Sequence, residues 1–333
     1  MESALDIIQN RTLRVLAELL PHGTKAALVD FPSHENAGDS LIYAGEVGYF
    51  RRLGVSIDYI CDVDRYRPEV LRARVPEGPV LLHGGGNFGD RWPRYQKFRE
   101  QVIADFPDRA IVMLPQSMEF ESADNLEAVK ALFGQHPNLT IMLREQRSFT
   151  EALDHFGGHN PVVYCPDLAF GYGARRVHGK FDGRVEVTRL LRQDSEKIAH
   201  GSLRTSHSYV EYDWGLRGLD RVAWRAIRIP GRVAATVPAT GTGLYPMLSS
   251  SYRAQAGLNL WRASKMLSVG RVVVTDRLHA AVLGGLLGMP VVALDNSYGK
   301  ISSVFDDYLH TLNNVSFASS AEEAVARIYE LLP

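Results

Sequence analysis

Short runs of aliphatic and β-branched residues alternate along the chain with longer segments in which apolar residues recur every three or four positions. In the first half, the short runs predict strands at KAALVDF, VSIDYI, PVLLHG, AIVMLP, LTIMLR and PVVY. The segments between them predict helices, including those at 39–53, 93–105, 125–133 and 145–156. Because strands that alternate with helices form a parallel sheet covered by helices, the pattern predicts an α/β domain over residues 1–170.

The pattern weakens after Pro166, where GYGARRVHGKFDGR is rich in glycine and basic residues and predicts a linker over 171–184. A second series of strands begins at VEVTRLL, continues with RVVVTD and PVVALD, and ends in a helix near 321–332. We therefore expect a second domain over 185–333, whose last helix could pack back on the first domain. The simplest fold is two Rossmann-like α/β domains whose parallel sheets face each other across a cleft.

Composition narrows the class of protein. Lys plus Arg (37) nearly balance Asp plus Glu (38), which argues against nucleic acid as a partner. Cys61 and Cys165 form no CxxC motif, which indicates a reducing compartment and no structural zinc. The N-terminal segment has the spacing of an amphipathic helix, without the apolar core of a signal peptide. No segment approaches the roughly 18 apolar residues that span a bilayer, so we expect a cytoplasmic protein.

Polar residues follow several strands of the first domain, at the sheet edge where α/β proteins bind ligands. Asn36 and Asp39 follow the first strand in DFPSHENAGDSL, either as a helix cap or as part of an anion-binding helix N-terminus. Gln116 and Ser117 end another strand in LPQS. Arg144 ends the aliphatic strand TIML, and because an unpaired buried guanidinium is costly, it predicts an anion site.

The segment HGGGNFGD, residues 83–90, matches GxGxxG literally through Gly84, Gly86 and Gly89. It follows the third strand, and no acidic residue ends the next one, so a dinucleotide site is disfavoured. We expect a flexible glycine loop whose backbone N–H groups contact a phosphate or carboxylate.

The second domain offers an arginine and a histidine two residues apart. In TDRLHAAVLGG, Arg277 and His279 stand where a buried strand gives way to an apolar helix, whose N-terminus favours anions. Lys300 follows the next strand and could add a phosphate contact. Nearby polar candidates are Arg192, Asp194 and Glu196 after the strand VEVTRLL, and Asp295, Asn296 and Tyr298 after PVVAL.

Taken in order, these segments resemble the polysaccharide pyruvyl transferase family. The segments that carry the resemblance are NAGDSL, HGGGNFGD, LPQS, the 144–148 stretch, CPDLAF, LLRQDSE, TDRLHA and LDNSYGK. The resemblance implies a fold like that of the GT-B glycosyltransferases. It also implies transfer of the enolpyruvyl unit of phosphoenolpyruvate to a sugar of an exopolysaccharide repeat unit, forming a cyclic pyruvate ketal. In the family, an N-terminal arginine and the arginine and histidine of an RLH motif are functional, and these correspond to Arg144, Arg277 and His279.

The residue types suit this chemistry. Phosphoenolpyruvate carries a carboxylate and a phosphate, and arginine's fork can contact either oxyanion in a bidentate manner. Ketal formation requires a group that donates and accepts a proton, a role we assign to His279. The candidate anion contacts are Arg144, Arg277, Lys300, Gly85, Gly86, Asn87 and Ser117, and the candidate acceptor contacts are Asn36, Asp39, Asp90 and Gln116. Neither a cofactor nor a metal is expected.

DWGLRGLDRVAWRAIRIPGR carries arginines every three or four residues, which predicts a basic stripe on a helix that Pro230 ends before Arg232. The stripe is either an ordinary surface of a helix docked on the second domain or a contact with anionic headgroups or a lipid-linked saccharide's pyrophosphate. Its candidate residues are Arg217, Arg221, Trp224, Arg225 and Arg228. Leu219, Val222, Ala226 and Ile229 lie on the opposite side of the helix.

Two other functions stay open. A nucleotide-sugar glycosyltransferase would use similar arginines against a diphosphate, although the chain shows no obvious base or ribose pocket. A non-catalytic scaffold of polysaccharide assembly would have no need of Arg277 and His279. The expected partners are therefore phosphoenolpyruvate and a lipid-linked oligosaccharide, with peripheral contact at the inner membrane face.

Overall fold

The computed structural model describes residues 2–174, 183–192, 203–236, 245–295 and 299–332. In the first half, strands β1 to β7 span Lys25–Val29, Ser56–Ile60, Val80–Leu82, Gly85–Gly89, Ile111–Glu119, Leu139–Leu143 and Val162–Tyr164. Helices α1 to α6 span Ala4–Leu19, Ala37–Leu53, Pro68–Arg74, Pro93–Asp105, Ala123–Gly134 and Gln146–Phe156. A short 3₁₀ helix, Leu168–Tyr172, follows β7.

In the second half, strands β8 to β12 span Val185–Leu190, Tyr209–Tyr212, Gly270–Thr275, Val291–Leu294 and Val315–Ala318. Helices α7 to α12 span Gly218–Ile227, Ile229–Thr236, Tyr245–Leu267, Leu278–Leu286, Lys300–Asp307 and Ala321–Leu331. Residues 175–182 of the expected linker lie outside the described residues, as do Asp194, Glu196, Asn296 and Tyr298.

The chain builds two parallel sheets, which confirms the predicted α/β class. The first has the order β2-β1-β3-β5-β6-β7 with β4 beside β5, and the second has the order β12-β11-β10-β8-β9. In each sheet the strand order reverses next to the first strand, between β1 and β3 and between β8 and β10. Such reversals open a crevice at the carboxyl ends of the strands, where α/β proteins bind ligands. The face-to-face arrangement of a GT-B fold stays a prediction.

Paired strands end level with one another at both reversals. Val29 at the end of β1 aligns with Leu82 at the end of β3, and Leu190 at the end of β8 aligns with Thr275 at the end of β10. The loops that follow these strands therefore leave each sheet side by side.

The long helix α9 packs on α2 of the first half, although it follows β8 and β9 in the chain. The Tyr252 ring lies 4.2 Å from that of Phe31 between centroids, and Asn259 Nδ2 donates to Ser40 Oγ at 2.9 Å. The last helix, α12, contributes Ala321, Ala324 and Ile328 to the core of the second sheet. The expectation that α12 packs back on the first domain is therefore corrected.

The glycine segment after β3 is a strand, β4, rather than the expected loop. Gly85 and Gly89 have φ values of 142° and 133°, a region that L side chains rarely adopt. A Cβ built at Gly89 would lie 1.7 Å from the carbonyl oxygen of Glu119 on β5. Glycine is thus required for β4 to lie against β5.

The basic stripe falls on two helices, α7 and α8, which meet at Arg228 and Ile229, and Pro230 lies in the first turn of α8. Trp224, a candidate residue of the stripe, is buried, whereas Leu219 and Val222 on the opposite side of the helix are 85% and 62% exposed. The contact with headgroups or pyrophosphate expected of Trp224 is therefore corrected. Arg228 lies over the Trp224 ring, 4.6 Å from its centroid, because a guanidinium stacks favourably on an indole face. No helix within the described residues is both long and apolar enough to cross a membrane.

Helix α2 contacts the 3₁₀ helix 168–172 backbone to backbone. A Cβ at Gly45 would lie 1.8 Å from the carbonyl oxygen of Leu168, and one at Gly48 would lie 2.2 Å from that of Gly171. This contact fixes the N-terminus of α2 relative to the loop after β7.

We predict that Gly45→Ala lowers the free energy of unfolding by roughly 2–4 kcal/mol, because neither backbone can retreat from the new methyl group. Gly257→Ala on α9 is the matched control, since nothing lies within 4 Å of its Cβ position. The control should gain about 1 kcal/mol from alanine's higher helix propensity. Chemical denaturation of both variants measures the difference, and equal effects would contradict the proposed contact.

Candidate functional site

A cavity of about 340 Å³ is lined by residues of β4, by residues that follow β1, β4 and β6 of the first sheet, and by residues that follow β8, β9 and β10 of the second. The lining residues are His34, Asn36, Gly38, Asp39, Gly86, Asn87, Trp92, Tyr95, Arg144, Arg192, Trp214, Arg277, Leu278 and His279. Both halves of the chain therefore contribute to it.

Arg144, Asp167 and His279 form a hydrogen-bonded cluster at this cavity. Arg144 Nη1 donates to Asp167 Oδ2 at 2.8 Å, and His279 Nε2 lies 3.1 Å from the same oxygen. The Arg144 Nη1 and His279 Nε2 atoms are 3.4 Å apart. One carboxylate of the first half thus holds the imidazole of the second half beside a guanidinium.

Asp167 is ionised despite being only 1% exposed. Burial alone favours the neutral acid, but the charges of His279 and Arg144 and the hydrogen bonds from His279 and Ala169 outweigh it. Together they hold the pKa of Asp167 well below its ordinary value. The Asp167 N–H donates to the Tyr308 hydroxyl at 3.2 Å, a second contact between the halves. Asp167 therefore orients both the Arg144 guanidinium and the His279 imidazole.

Hydrogen bonds through Ser117 to Glu145 hold the guanidinium of Arg144 in place. Its Nε donates to Ser117 Oγ at 2.8 Å, and that hydroxyl donates to Glu145 Oε2 at 3.0 Å. The Nη2 atom would lie 3.2 Å from a Cβ at Gly86, so this edge of the guanidinium faces β4. The arrangement directs the guanidinium toward the glycine segment.

Arg277 and His279 are placed by the start of α10. Arg277 is the N-cap residue, and its guanidinium pairs with Asp213, which follows β9. His279 lies in the first turn, where a Cβ at Gly38 of α2 would come within 2.9 Å of Nδ1. Glycine at position 38 thus leaves room for the imidazole.

The loop after β1 brings a second set of polar groups to the cavity. The Gly38 N–H donates to Asn36 Oδ1 at 2.9 Å, which makes Asn36 the N-cap of α2, and Asn36 Nδ2 donates to Asp39 Oδ2 at 2.8 Å. His34 Nε2 lies 3.4 Å from the same carboxylate oxygen. Burial lowers the pKa of His34, although the Asp39 charge opposes that shift.

Asn87 is fixed by a buried arginine on α4. Arg99 Nη2 donates to Asn87 Oδ1 at 2.7 Å, and Arg99 Nη1 donates to Gln96 Oε1 at 2.8 Å. Burial lowers the pKa of Arg99 to about 10. Asn87 is therefore held in place on the cavity wall.

Asp30 lies beneath this wall in a strained conformation. It has φ 70°, a left-handed value that is uncommon for residues other than glycine, and it is 3% exposed. Burial raises the pKa of Asp30 to about 7, although His83, Arg99 and a hydrogen bond from Asn87 oppose that shift. Strained buried acids of this kind cluster at functional sites.

The structure brings together eight of the candidate residues: Arg144, Arg277, His279, Asn36, Asp39, Gly86, Asn87 and Arg192 all line the cavity. Gly85 is buried beside them, and a Cβ built at this glycine would lie 3.9 Å from Asp39 Oδ1. Lys300 begins α11, but its side chain is outside the described part of the chain.

Three candidates have structural partners instead of lining the cavity. Gln116 is fully buried and its Nε2 donates to the His83 carbonyl at 2.6 Å. Ser117 supports Arg144. Asp90 accepts from the Glu121 and Ser122 N–H groups at 2.8 and 2.9 Å and so holds the turn that precedes α5. The acceptor role expected of Gln116 and Asp90 and the anion role expected of Ser117 are therefore corrected.

Sequence reasoning missed the anchoring role of Asp167. The signal was present, because Asp167 follows β7 at the same sheet edge as Arg144. It also missed His34 and the aromatic wall formed by Trp92, Tyr95 and Trp214.

The chain folds into two parallel sheets covered by helices. Their strand ends bring arginines, a histidine and an aspartate to one cavity. The fold is therefore that of an α/β protein, with a cavity whose arginines suit an anion. The chain belongs to the polysaccharide pyruvyl transferase family, whose profile matches residues 36–298. It is similar to pyruvyl transferase 1 of Schizosaccharomyces pombe, 32% identical over 317 residues that cover 92% of this chain and 76% of the relative. EpsO of Bacillus subtilis is 29% identical over 296 residues, covering 88% of each chain.

The fold is also found in a crystal structure of an uncharacterized protein from Klebsiella pneumoniae. That structure superposes with a TM-score of 0.58 at 17% identity, covering 94% of this chain and 99% of the other. At this identity the likeness shows the fold alone.

We predict that Asp30→Asn stabilises the protein increasingly as pH rises. The folded-state pKa of about 7 lies above the ordinary 3.8, so the wild type loses stability as pH rises through this window, whereas the amide does not titrate. Asparagine tolerates the positive φ. Denaturation at about pH 5 and about pH 8 should show the variant's advantage growing by roughly 2–3 kcal/mol. An advantage that is the same at both pH values would contradict the assignment.

Proposed function

We propose that the protein transfers the enolpyruvyl unit of phosphoenolpyruvate to two hydroxyls of one sugar in a lipid-linked polysaccharide repeat unit, forming a pyruvate ketal. Membership of the family supports transfer of a pyruvyl group to a polysaccharide. The observation that carries the finer proposal is that Arg144 and Arg277, one from each half, line the same cavity as His279.

The donor's two anionic groups match the charges of the cavity. Arg144 is already paired with Asp167, and its Nη2 edge lies against Gly86, so we place a donor oxyanion on the cavity side of the guanidinium, next to the β4 backbone. Arg277 at the N-terminus of α10 suits the second anionic group, because the helix end favours negative charge. Lys300 is the further candidate for the phosphate.

His279 is the proposed proton donor. Because its Nε2 contacts Asp167, we assign the transferred proton to Nδ1, the atom nearest Gly38 on the other edge of the ring. Asp167 is then a positioning residue that fixes the ring and stabilises the imidazolium, as a carboxylate does in other aspartate–histidine pairs.

The steps balance without a further reactant. The imidazolium protonates the C3 methylene, C2 becomes an oxocarbenium carbon, and a first sugar hydroxyl adds to C2 and loses its proton to the neutral imidazole. The C2–O bond to phosphate then breaks, the second hydroxyl adds to C2, and its proton leaves with inorganic phosphate. Since nothing is oxidised or reduced, we propose that no cofactor takes part and that chelators leave the activity intact.

Asn36, Asp39 and His34 form the polar side of the cavity that suits the acceptor hydroxyls, and Trp92, Tyr95 and Trp214 offer apolar surface to a sugar ring. We propose that the reaction takes place in the cytoplasm, where phosphoenolpyruvate and the acceptor would both be available.

The direct test is to incubate the protein with phosphoenolpyruvate and candidate lipid-linked glycans. Mass spectrometry should show one pyruvate ketal added per glycan, with one inorganic phosphate released for each. Calorimetry with phosphoenolpyruvate and with UDP-sugars is the companion measurement, and only the former should bind. Binding of UDP-sugars with no response to phosphoenolpyruvate would replace the proposal with a glycosyltransferase.

We predict that His279→Gln lowers kcat by roughly 100-fold to 10,000-fold, the usual contribution of a proton-transfer group. The Kd for phosphoenolpyruvate should change by no more than about threefold, because the two arginines stay in place. His159→Gln, at an exposed histidine outside the cavity, is the matched control and should retain full activity. A fully active His279→Gln variant would refute the assignment.

A further inference from the structure

A group of large apolar side chains on α7, α8 and the start of α9 points to solvent. Its members, which we name the apolar ridge, are Leu219, Val222, Ile229, Val233 and Met247. Helices α7 and α8 contact each other and both contact α9, so the ridge lies on three neighbouring helices. A helix docked on a core normally turns such residues inward. Here Trp224 is the residue of α7 that faces inward.

Helix α7 is amphipathic, and the apolar side of the helix is exposed to solvent. Leu219, Val222, Ala223 and Ala226 of α7 are all exposed and, at 100° per residue, fall within an arc of about 100°. Arg225 lies about 60° from one edge of that arc, whereas Arg221 lies toward the opposite side of the helix and pairs with Glu35. Residues 217–233 hold five arginines against a single acid, Asp220, which pairs with Arg262.

The ridge begins at the edge of the cavity. Asp213 pairs with Arg277, and Trp214 lines the cavity. The Leu216 N–H and Arg221 Nε donate to the carboxylate of Glu35 at 3.2 and 2.9 Å, one residue before the N-cap of α2. The segment that leads into α7 is thus fixed to the loop that carries Asn36 and Asp39.

We infer that the apolar ridge docks on the surface of an anionic lipid bilayer, with its arginines among the phosphate headgroups. Exposed apolar residues flanked by arginines have the chemistry of a helix that lies in the membrane interface. A second copy of the chain fits less well, because a two-fold contact would bring the arginines of both copies together. The inference rests on the proposed function only in that a lipid-linked acceptor would then reach the cavity from the bilayer.

The test uses the full chain and vesicles of phosphatidylcholine with about one third phosphatidylglycerol, measured by co-sedimentation without substrate. The protein should bind them, bind pure phosphatidylcholine weakly, and dissociate as salt increases. The pair Leu219→Ser with Val222→Ser should lower the affinity at least about tenfold, since two apolar side chains lose their burial in the interface. The pair Arg225→Glu with Arg232→Glu should have an effect of similar size.

Ile7→Ser with Leu153→Ser is the matched control, because these side chains are comparably exposed on α1 and α6. The control should bind vesicles as the wild type does. Absence of wild-type binding, or ridge variants that bind equally well, would overturn the inference. A wild-type dimer that the ridge variants convert to a monomer would assign the ridge to a second copy instead.

Different results would refute the proposed reaction and the proposed docking surface. Turnover of a water-soluble acceptor should be unchanged in the ridge variants, which leave the cavity intact. Vesicle binding without any turnover of phosphoenolpyruvate would refute the proposed reaction alone, and turnover without vesicle binding would refute the docking surface alone.

Discussion

The contact of Asp167 with both Arg144 and His279 is the constraint on which the site depends. A buried carboxylate is costly unless it is paired and hydrogen-bonded, and these two groups, with the Ala169 N–H, satisfy it. Removing any member would leave an uncompensated charge or an unoriented ring. The same contact joins the halves, since His279 starts a helix of the second sheet while the other two residues end strands of the first.

The topology of the sheets explains why so many polar groups meet at one place. Each sheet reverses its strand order beside its first strand, and the loops there carry Asn36 and Asp39 in one half and Arg192 and Arg277 in the other. Glycine then sets how closely the parts approach. Gly38 makes room for His279, and Gly45 lets α2 lie against the 3₁₀ helix that Asp167 caps. The site is therefore built from backbone contacts as much as from side chains.

Much of the fold could be predicted because apolar periodicity reports which residues are buried. The helix at 93–105 was predicted with the bounds that the structure shows. Strand β4 was not, because its glycines carry no strand propensity and its place is set by contact with β5. The docking of α9 on the first half was also missed, since a long-range partner leaves no trace in local spacing.

The site was predictable where a charge ends an apolar strand, as at Arg144 and Arg277. The rule failed for Gln116 and Ser117 because β5 continues to Glu119, so both residues lie inside the strand and have buried partners there. The prediction for α7 failed for another reason. Its apolar positions identify an amphipathic helix but do not say which side packs on the rest of the protein. Trp224, larger than its neighbours, was buried in their place.

The most direct measurement of the central claim is a double-mutant cycle on kcat, made with Asp167→Asn and His279→Gln and followed by phosphate release from phosphoenolpyruvate. If Asp167 acts by positioning His279, Asp167→Asn alone should be strongly impaired, and the double variant should be about as slow as His279→Gln alone. Losses that multiply in the double variant would show that the two residues act independently and would contradict the account.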